Sequence, residues 1–319
     1  MAEWVIEHGI GETRAVLIED RQIIEARVEL EGAVPAGTRL AARLIRAGKQ
    51  GRNAVARDAH GQEYLLPIAP GGVSEGGSLA ITVTRSAFPG TEPWKRPLAR
   101  ASDEGLAELP SMAERLGAII LPFPAPHDTL EEAGWSDLLD EARTGIIIFA
   151  GGSLRISPTP AMTLIDVDGS LPTEELATAG ARAAAMTIWR LAIGGSIGID
   201  LPTVRNKASR LAQAEAIDAT LPKPFERTAV NGFGFVQIVR PRTGPSLIEL
   251  GQDRPGFEAR ALLRRAARST GAIRLAAHPS VLAAITPNWL DRLGRQIGGA
   301  VGLRPDPALA MSGGHAEQA

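Results

Sequence analysis

Residues 163–200 read TLIDVDGSLPTEELATAGARAAAMTIWRLAIGGSIGID, and their pattern decides the fold class. Apolar and polar residues alternate in TLIDVDG, which is typical of a strand. A long helix is indicated next by Pro172, Thr173 and two glutamates at its start and by a glycine pair at its end. SIGID is a second apolar strand, stopped by Pro202. This order predicts an α/β layer.

The flanking segments extend this layer. GIIIFAGGSLRIS is typical of two strands around a glycine turn, and FERTAVNG and FGFVQIVRPR are predicted strands. TVRNKASRLAQAEAIDATL is a predicted helix with Thr203 as its N-cap, and DTLEEAGWSDLLDEARTG is another helix. Near the C-terminus, two predicted helices flank the strand AIRLAAH.

Five regions follow from these patterns. Short strands at about ten-residue spacing, separated by turns such as GKQGR at 48–52, indicate a small barrel, of which an OB-like barrel is one form. The tail after Ala310 is expected to be disordered, since it carries little to bury. The regions are N-terminal strands packing on the core (1–37), the barrel (38–85), a Pro- and Gly-rich linker (86–112), the α/β core (113–245) and a small α+β domain (255–319).

The composition excludes several classes of site. The chain has no cysteine, which excludes disulfides, zinc–thiolate sites and cysteine nucleophiles. No signal peptide or membrane span is apparent, so a cytoplasmic protein without a membrane partner is expected. The net charge of −2 counts against a nucleic-acid partner, although all but four of the 34 basic residues are arginines, which bind phosphate well.

Three aspartates are the candidate functional residues. Asp166 and Asp168 lie two apart at the end of one strand, and Asp200 ends the next. Carboxylates gathered at this edge repel one another and are costly to desolvate, and a divalent cation would remove that cost. Oxygen ligands suit Mg²⁺ or Mn²⁺. An aspartate at a strand end is also a common turn residue or helix N-cap, so spacing alone leaves both interpretations open.

The same residues carry a resemblance. TLIDVDG, the long helix, GGSIGID and then NGFGFVQIVRPR resemble, in order and spacing, the catalytic core of the ribonuclease E/G family. The resemblance implies an α/β (α+β multidomain) fold: a mixed-sheet nuclease core with an inserted OB-like β-barrel and a small C-terminal α+β domain. It covers most of the chain, but only residues 146–242 match specifically.

The resemblance also implies roles for individual residues. Asp166 and Asp200 take the positions of the catalytic metal ligands. Asp168 stands where the family has asparagine and is expected as a third metal ligand, which keeps an oxygen ligand but adds charge. The RNA contacts are expected from Arg240 and Arg242, from Tyr64 of the barrel and from Arg190 at the end of the helix. The family's cysteine-based zinc link and most of its 5′-monophosphate sensor are missing here, so no zinc is expected, and any homo-oligomer would form without that link.

The sequence therefore predicts a Mg²⁺- or Mn²⁺-dependent endoribonuclease that cuts single-stranded RNA. A catalytically weak RNA-binding protein of the same fold is the main alternative, favoured by the neutral charge and the few barrel aromatics. A third hypothesis is a metal-binding module that acts on a phosphate substrate other than RNA.

Overall fold

The computed structural model describes residues 1–48, 52–89 and 96–319 of the protein. The predicted turn at 48–52 and the predicted linker at 86–112 thus fall partly outside the described residues, at 49–51 and 90–95. No helix among the described residues combines the length and the apolar character that a membrane crossing requires.

The secondary structure follows the predicted order closely. The strands are β1 (Glu3–His8), β2 (Glu12–Glu19), β3 (Gln22–Leu30), β4 (Arg39–Arg46), β5 (Ala54–Arg57), β6 (Glu63–Leu66), β7 (Ser78–Arg85), β8 (Leu98–Ala101), β9 (Ile119–Leu121), β10 (Ile146–Phe149), β11 (Gly152–Pro158), β12 (Thr163–Gly169), β13 (Gly195–Asp200), β14 (Glu226–Arg227), β15 (Phe235–Arg240), β16 (Ile273–Ala277), β17 (Val301–Pro305) and β18 (His315–Gln318). The helices are α1 (Met112–Leu116), α2 (Thr129–Glu132), α3 (Trp135–Thr144), α4 (Thr173–Arg190), α5 (Lys207–Thr220), α6 (Leu247–Leu250), α7 (Arg254–Ala266), α8 (Pro279–Ala283) and α9 (Pro287–Ile297).

Two compact units divide the chain differently from the predicted regions. The first unit joins the N-terminal strands to the C-terminal segment and comprises Met1–Glu31, Met112–Asp137 and Leu250–Ala319. The second unit comprises Gly32–Ser111 and Leu138–Glu249. The segment from 112 to 137, which the sequence assigns mostly to the α/β core, therefore belongs to the first unit, since β9 within it pairs with β1.

The first unit contains two small sheets. One has the order β3-β2-β1-β9, and the other has the order β17-β16-β18. The prediction of a disordered tail is wrong, because β18 pairs with β16 in antiparallel register from Ile273↔Gln318 to Ala276↔His315. The tail buries little apolar surface, but its backbone hydrogen bonds are satisfied by the neighbouring strand.

A buried network of charged side chains ties this unit together. Arg264 on α7 donates two hydrogen bonds to Glu7 on β1, at 2.9 and 3.0 Å, and two to Asp128, at 2.5 and 3.2 Å. Arg14 on β2 bonds to the same Glu7 at 2.6 Å and to Glu12 at 2.6 Å. Helix α7 is thus joined to β1 and β2, which lie near the opposite end of the sequence.

Glu12 gives this network a dependence on pH. Burial would raise the pKa of Glu12, but Arg14 and Arg260 beside it hold that pKa below its ordinary value of 4.5. A carboxyl with a lowered folded-state pKa stabilises the fold above its unfolded-state pKa, and the contribution is lost as the pH falls through the folded-state value.

We therefore expect Glu12→Gln to destabilise the protein at neutral pH and to make its stability depend less on pH. The measurement is the urea midpoint of the wild type and the variant between about pH 6 and about pH 3. The gap between the two proteins should shrink on acidification, because the wild-type carboxylate becomes protonated. A difference in urea midpoint that stays constant over this pH range would contradict the lowered pKa of Glu12.

The second unit contains a closed five-stranded barrel and a six-stranded sheet. The barrel has the order β4-β5-β6-β8-β7, and five is the strand number of an OB-like barrel. Its fifth strand, Leu98–Ala101, lies in the segment predicted as linker, so that part of the prediction is wrong. The strand pairs with β7, and this pairing outweighs the proline and glycine content around it.

The six-stranded sheet has the order β10-β11-β12-β13-β15-β14. Strands β12 and β13 run parallel, whereas the other neighbours are antiparallel, so the sheet is mixed as predicted. Helix α4 packs closely on one face, where a Cβ on Gly180 would lie 2.4 Å from Val167 Cγ1. On the opposite face, β12 presents exposed residues.

Two helix boundaries differ from their predictions. The predicted helix at 128–145 is two helices, because Gly134 adopts a left-handed φ of 94° between α2 and α3. The predicted cap Thr203 does not start α5, whose N-cap is Asn206, which accepts from Ser209 N at 2.6 Å. The Thr203 hydroxyl instead donates to the carbonyl of Phe233 at 2.9 Å.

Candidate metal centre

Asp166 and Asp200 lie directly opposite each other on the parallel strands β12 and β13. Neighbouring strands are about 4.8 Å apart, and residues in register on them point to the same face of the sheet. The two aspartates are therefore neighbours on one face, which is the arrangement that a shared ion requires. The prediction that these aspartates occupy neighbouring strands and a common face is confirmed.

The alternation along β12 explains this placement. The strand continues to Gly169, so Asp168 leaves the same face as Asp166. The inward residues are Thr163, Ile165 and Val167, and the outward ones are Leu164, Asp166 and Asp168. Because Asp166, Asp168 and Asp200 are all exposed, the predicted cost of desolvating these carboxylates is absent. Mutual repulsion of the adjacent carboxylates remains as the reason to bind a cation.

Neither Asp166 nor Asp200 has a structural role as a cap. Helix α4 has Pro172 at its N-cap position and α5 has Asn206. In the part of the chain that the structure describes, no hydrogen bond or ion pair is found for either carboxylate. The interpretation of these residues as turn or capping aspartates therefore loses its basis, and both carboxylates are available to a ligand.

Asp168 stands apart from this pair. It lies one pleat further along β12, opposite Ser153 of β11. Across residues 1–48, 52–89 and 96–319, no group of three or more His, Cys, Asp or Glu side chains is placed to hold a metal ion. The geometry therefore offers two carboxylates, with any further ligands supplied by water or substrate.

The acid pair belongs to a row of side chains that crosses five strands. The register aligns Ile146, Arg155, Asp166, Asp200 and Phe235 in one lateral line. Arg155 is exposed, and no ion pair is found for it among the described residues. The pair is thus bordered by a cation on one side and by an aromatic residue on the other.

The ring of Phe235 packs over Gly198 on the strand that carries Asp200. A Cβ on Gly198 would lie 2.6 Å from Phe235 Cζ and 3.0 Å from Leu164 Cδ2. Glycine at this position therefore makes room for the ring beside the acid pair. The sequence alone does not reveal this role of Gly198, because it depends on the pairing of β15 with β13.

Tyr64 cannot act as the expected RNA-stacking residue. Its side chain is fully buried in the barrel core, and its hydroxyl donates to Asp58 Oδ2 at 3.0 Å. Burial, together with the hydrogen bond to Asp58, raises the pKa of Tyr64. The prediction is wrong because a single tyrosine on a short alternating strand fits the inner face of a barrel as well as the outer one.

Arg190 and Arg240 are both engaged near the end of helix α4. Arg240 Nη1 lies 3.4 Å from the carbonyls of Ile188 and Ile193, to which it donates. These carbonyls belong to the helix side of the sheet, whereas the acid pair lies on the other face. Arg190 forms an ion pair with Glu141. Neither arginine is brought together with the aspartates.

Arg242 is also held in a local cluster. It forms an ion pair with Glu249, and its guanidinium lies 4.2 Å from the centre of the Phe88 ring. Burial and the nearby Arg242 both lower the pKa of Arg85, whose guanidinium lies 5.1 Å from the same ring. Contact of Arg242 with phosphate stays a prediction, and it would require these partners to be exchanged.

A comparison with models of protein families, and another with curated protein sequences, found no match to this chain.

Proposed function

We propose that this protein is a metal-dependent endoribonuclease that cleaves single-stranded RNA by water attack on the phosphodiester. The observation that carries the proposal is the pairing of Asp166 with Asp200 on one exposed face, with no protein partner found for either carboxylate within the described ranges. The choice of RNA as substrate rests on the resemblance to the ribonuclease E/G family.

The donor set fits Mg²⁺ or Mn²⁺. Mg²⁺ is commonly held by one or two carboxylates, while water and substrate phosphate complete its coordination. Asp166 and Asp200 supply two such carboxylates, and their exposure leaves room for the remaining ligands. A bound divalent cation polarises a phosphate oxygen and lowers the pKa of bound water.

The side chains around the pair have distinct tasks in this proposal. Asp166 and Asp200 hold the cation between adjacent strands, whose backbone pairing keeps the carboxylates at a fixed spacing. Arg155, opposite Asp166 and exposed, is placed to neutralise a phosphate oxygen of the bound strand. Gln237, which donates to Ser196 Oγ at 3.0 Å, adds polar groups on the same face.

The exposed sheet face that carries Asp166 and Asp200 also suits a polymeric substrate. Its acid pair sits on an exposed sheet surface rather than in a closed cavity, so a nucleotide chain can lie across it and be cut internally. The lack of 5′-sensor sequence agrees with internal cleavage that is indifferent to the 5′ end.

A catalytically weak RNA-binding protein of the same fold is the second candidate. The burial of Tyr64 and the net charge of −2 favour it, since both reduce the expected affinity for RNA. The third hypothesis, a metal-dependent enzyme with another phosphate substrate, uses the same pair of aspartates.

The deciding experiment is cleavage of an end-labelled single-stranded RNA with Mg²⁺, with Mn²⁺ and with EDTA. We expect internal cuts with either cation and none with EDTA, because the proposed site has no catalytic group that replaces the ion. Duplex DNA and free nucleotides are run in parallel. RNA binding without cleavage would support the second candidate, and turnover of another phosphate substrate alone would support the third.

A further inference from the structure

A highly exposed aromatic residue lies in the loop that leads into the strand opposite Asp200. Phe233 is 81% exposed, in the loop between β14 and β15. Phe235, two residues later, is directly opposite Asp200. A large apolar ring in water is informative when a rigid backbone holds it there, because burial would otherwise be favoured.

The loop around Phe233 is held by several hydrogen bonds. Asn231 Oδ1 accepts from the backbone N–H of Phe233 at 2.9 Å and of Phe235 at 3.1 Å. The Phe233 carbonyl accepts from Thr203, and Leu201 N donates to Gly234 O at 3.2 Å. The backbone that carries the exposed ring is thus hydrogen-bonded to Leu201 and Thr203, which follow Asp200.

Gly234 is required for this arrangement. Its φ is 91°, in the left-handed region, and a Cβ at this position would lie 2.1 Å from the carbonyl oxygen of Leu201. The backbone therefore approaches Leu201, the residue after β13, more closely than any other residue type allows. These contacts hold the backbone position from which the Phe233 ring projects.

A basic segment accompanies the exposed ring. Arg205 and Lys207 follow Thr203 and are both exposed. Many arginines among the described residues form ion pairs, but none is found there for either of these two. Their segment is joined to Phe233 by the Thr203 hydrogen bond. Exposed cations and an exposed aromatic ring on joined segments match a nucleic-acid strand, whose phosphates are anionic and whose bases stack.

We propose that Phe233 is a stacking platform for one unpaired nucleobase of the substrate strand. Phe235 lines the approach to the acid pair, and the phosphates of neighbouring nucleotides lie toward Arg205 and Lys207. The identity of the strand as RNA rests on the proposed function. This platform supplies the aromatic contact that the buried Tyr64 cannot make.

The test is the affinity of the full-length protein for a fluorescein-labelled single-stranded RNA in EDTA, measured by anisotropy. Phe233→Ala should weaken binding by about five- to a hundredfold, the usual effect of losing one stacked base. Phe233→Tyr should bind like the wild type, whereas Phe233→Leu, which is apolar but lacks a π-face, should be weak. Ile68→Ala is the matched control, since Ile68 is also 81% exposed.

Salt dependence separates stacking from charge. Phe233→Ala should leave the slope of affinity against salt unchanged, while Arg205→Ala should reduce it, because only the arginine contacts phosphate. Circular dichroism checks that each variant is folded.

Wild-type affinity in Phe233→Ala or in Phe233→Leu would overturn the proposal, and so would a wild-type protein that binds no single strand. If the variants behave as expected while the wild type cuts no RNA, the stacking site stands and the proposed nuclease activity fails.

Discussion

Replacing Asp200 with asparagine is expected to lower the rate of RNA cleavage by about a thousandfold, because the loss of metal-ion catalysis is worth about 4 kcal/mol. Asparagine keeps the shape of the side chain but removes the charge that holds the cation opposite Asp166. The measurement is the single-turnover rate on a labelled RNA at fixed Mg²⁺ and salt. Asp166→Asn should have a similar effect.

Asp168→Asn provides the matched control for this prediction. Asp168 lies on the same strand and face as Asp166 but outside the opposed pair, so its variant should keep a rate within a few-fold of the wild type. In EDTA, Asp200→Asn should melt at the same temperature as the wild type or slightly higher, because one of two repelling charges is gone. Full activity of a nuclease-free Asp200→Asn preparation would exclude the proposed role.

Replacing Arg264 with methionine is expected to lower the free energy of unfolding by about 3–5 kcal/mol. Arg264 is 4% exposed and bonds to both Glu7 and Asp128, so its removal leaves buried carboxylate oxygens without their main partner. Methionine retains much of the apolar stem and separates loss of the charge from loss of packing. The measurement is urea unfolding at neutral pH.

The control for Arg264 is Arg295→Met on α9. Arg295 is exposed, so its replacement should change the free energy of unfolding very little. Glu7→Gln should destabilise the protein in the same direction as Arg264→Met, since it breaks the same bonds from the other side. Equal stability of Arg264→Met and the wild type would show that the network contributes no net stability.

The order of elements was predictable because most of it depends on local patterns. The alternation in TLIDVDG and the caps of the long helix act within a few residues, and β12, α4 and β13 appear where these patterns place them. Strand β8 and the C-terminal strand β18 were missed, because each is stabilised by pairing with a distant strand and not by its own composition.

The network of buried charges was beyond prediction for the same reason. Arg264 and Glu7 are 257 residues apart, and neither sits in a recognisable motif. Their partnership follows from the docking of α7 against β1 within the first unit. The buried arginines of α7 are explained only by this contact, because it supplies the carboxylates with which they pair.

The sequence by itself determined that Asp166 and Asp200 end two successive apolar strands, because the patterns of each strand and of the helix between them are local. The pairing of β12 with β13 then placed the two aspartates opposite each other on one face. The tertiary structure alone decided which side chains flank them. Arg155 and Phe235 join the row through lateral register, Tyr64 is lost to the barrel interior and Arg240 faces helix α4. Register and barrel closure depend on backbone pairing between segments distant in sequence, which local patterns do not specify.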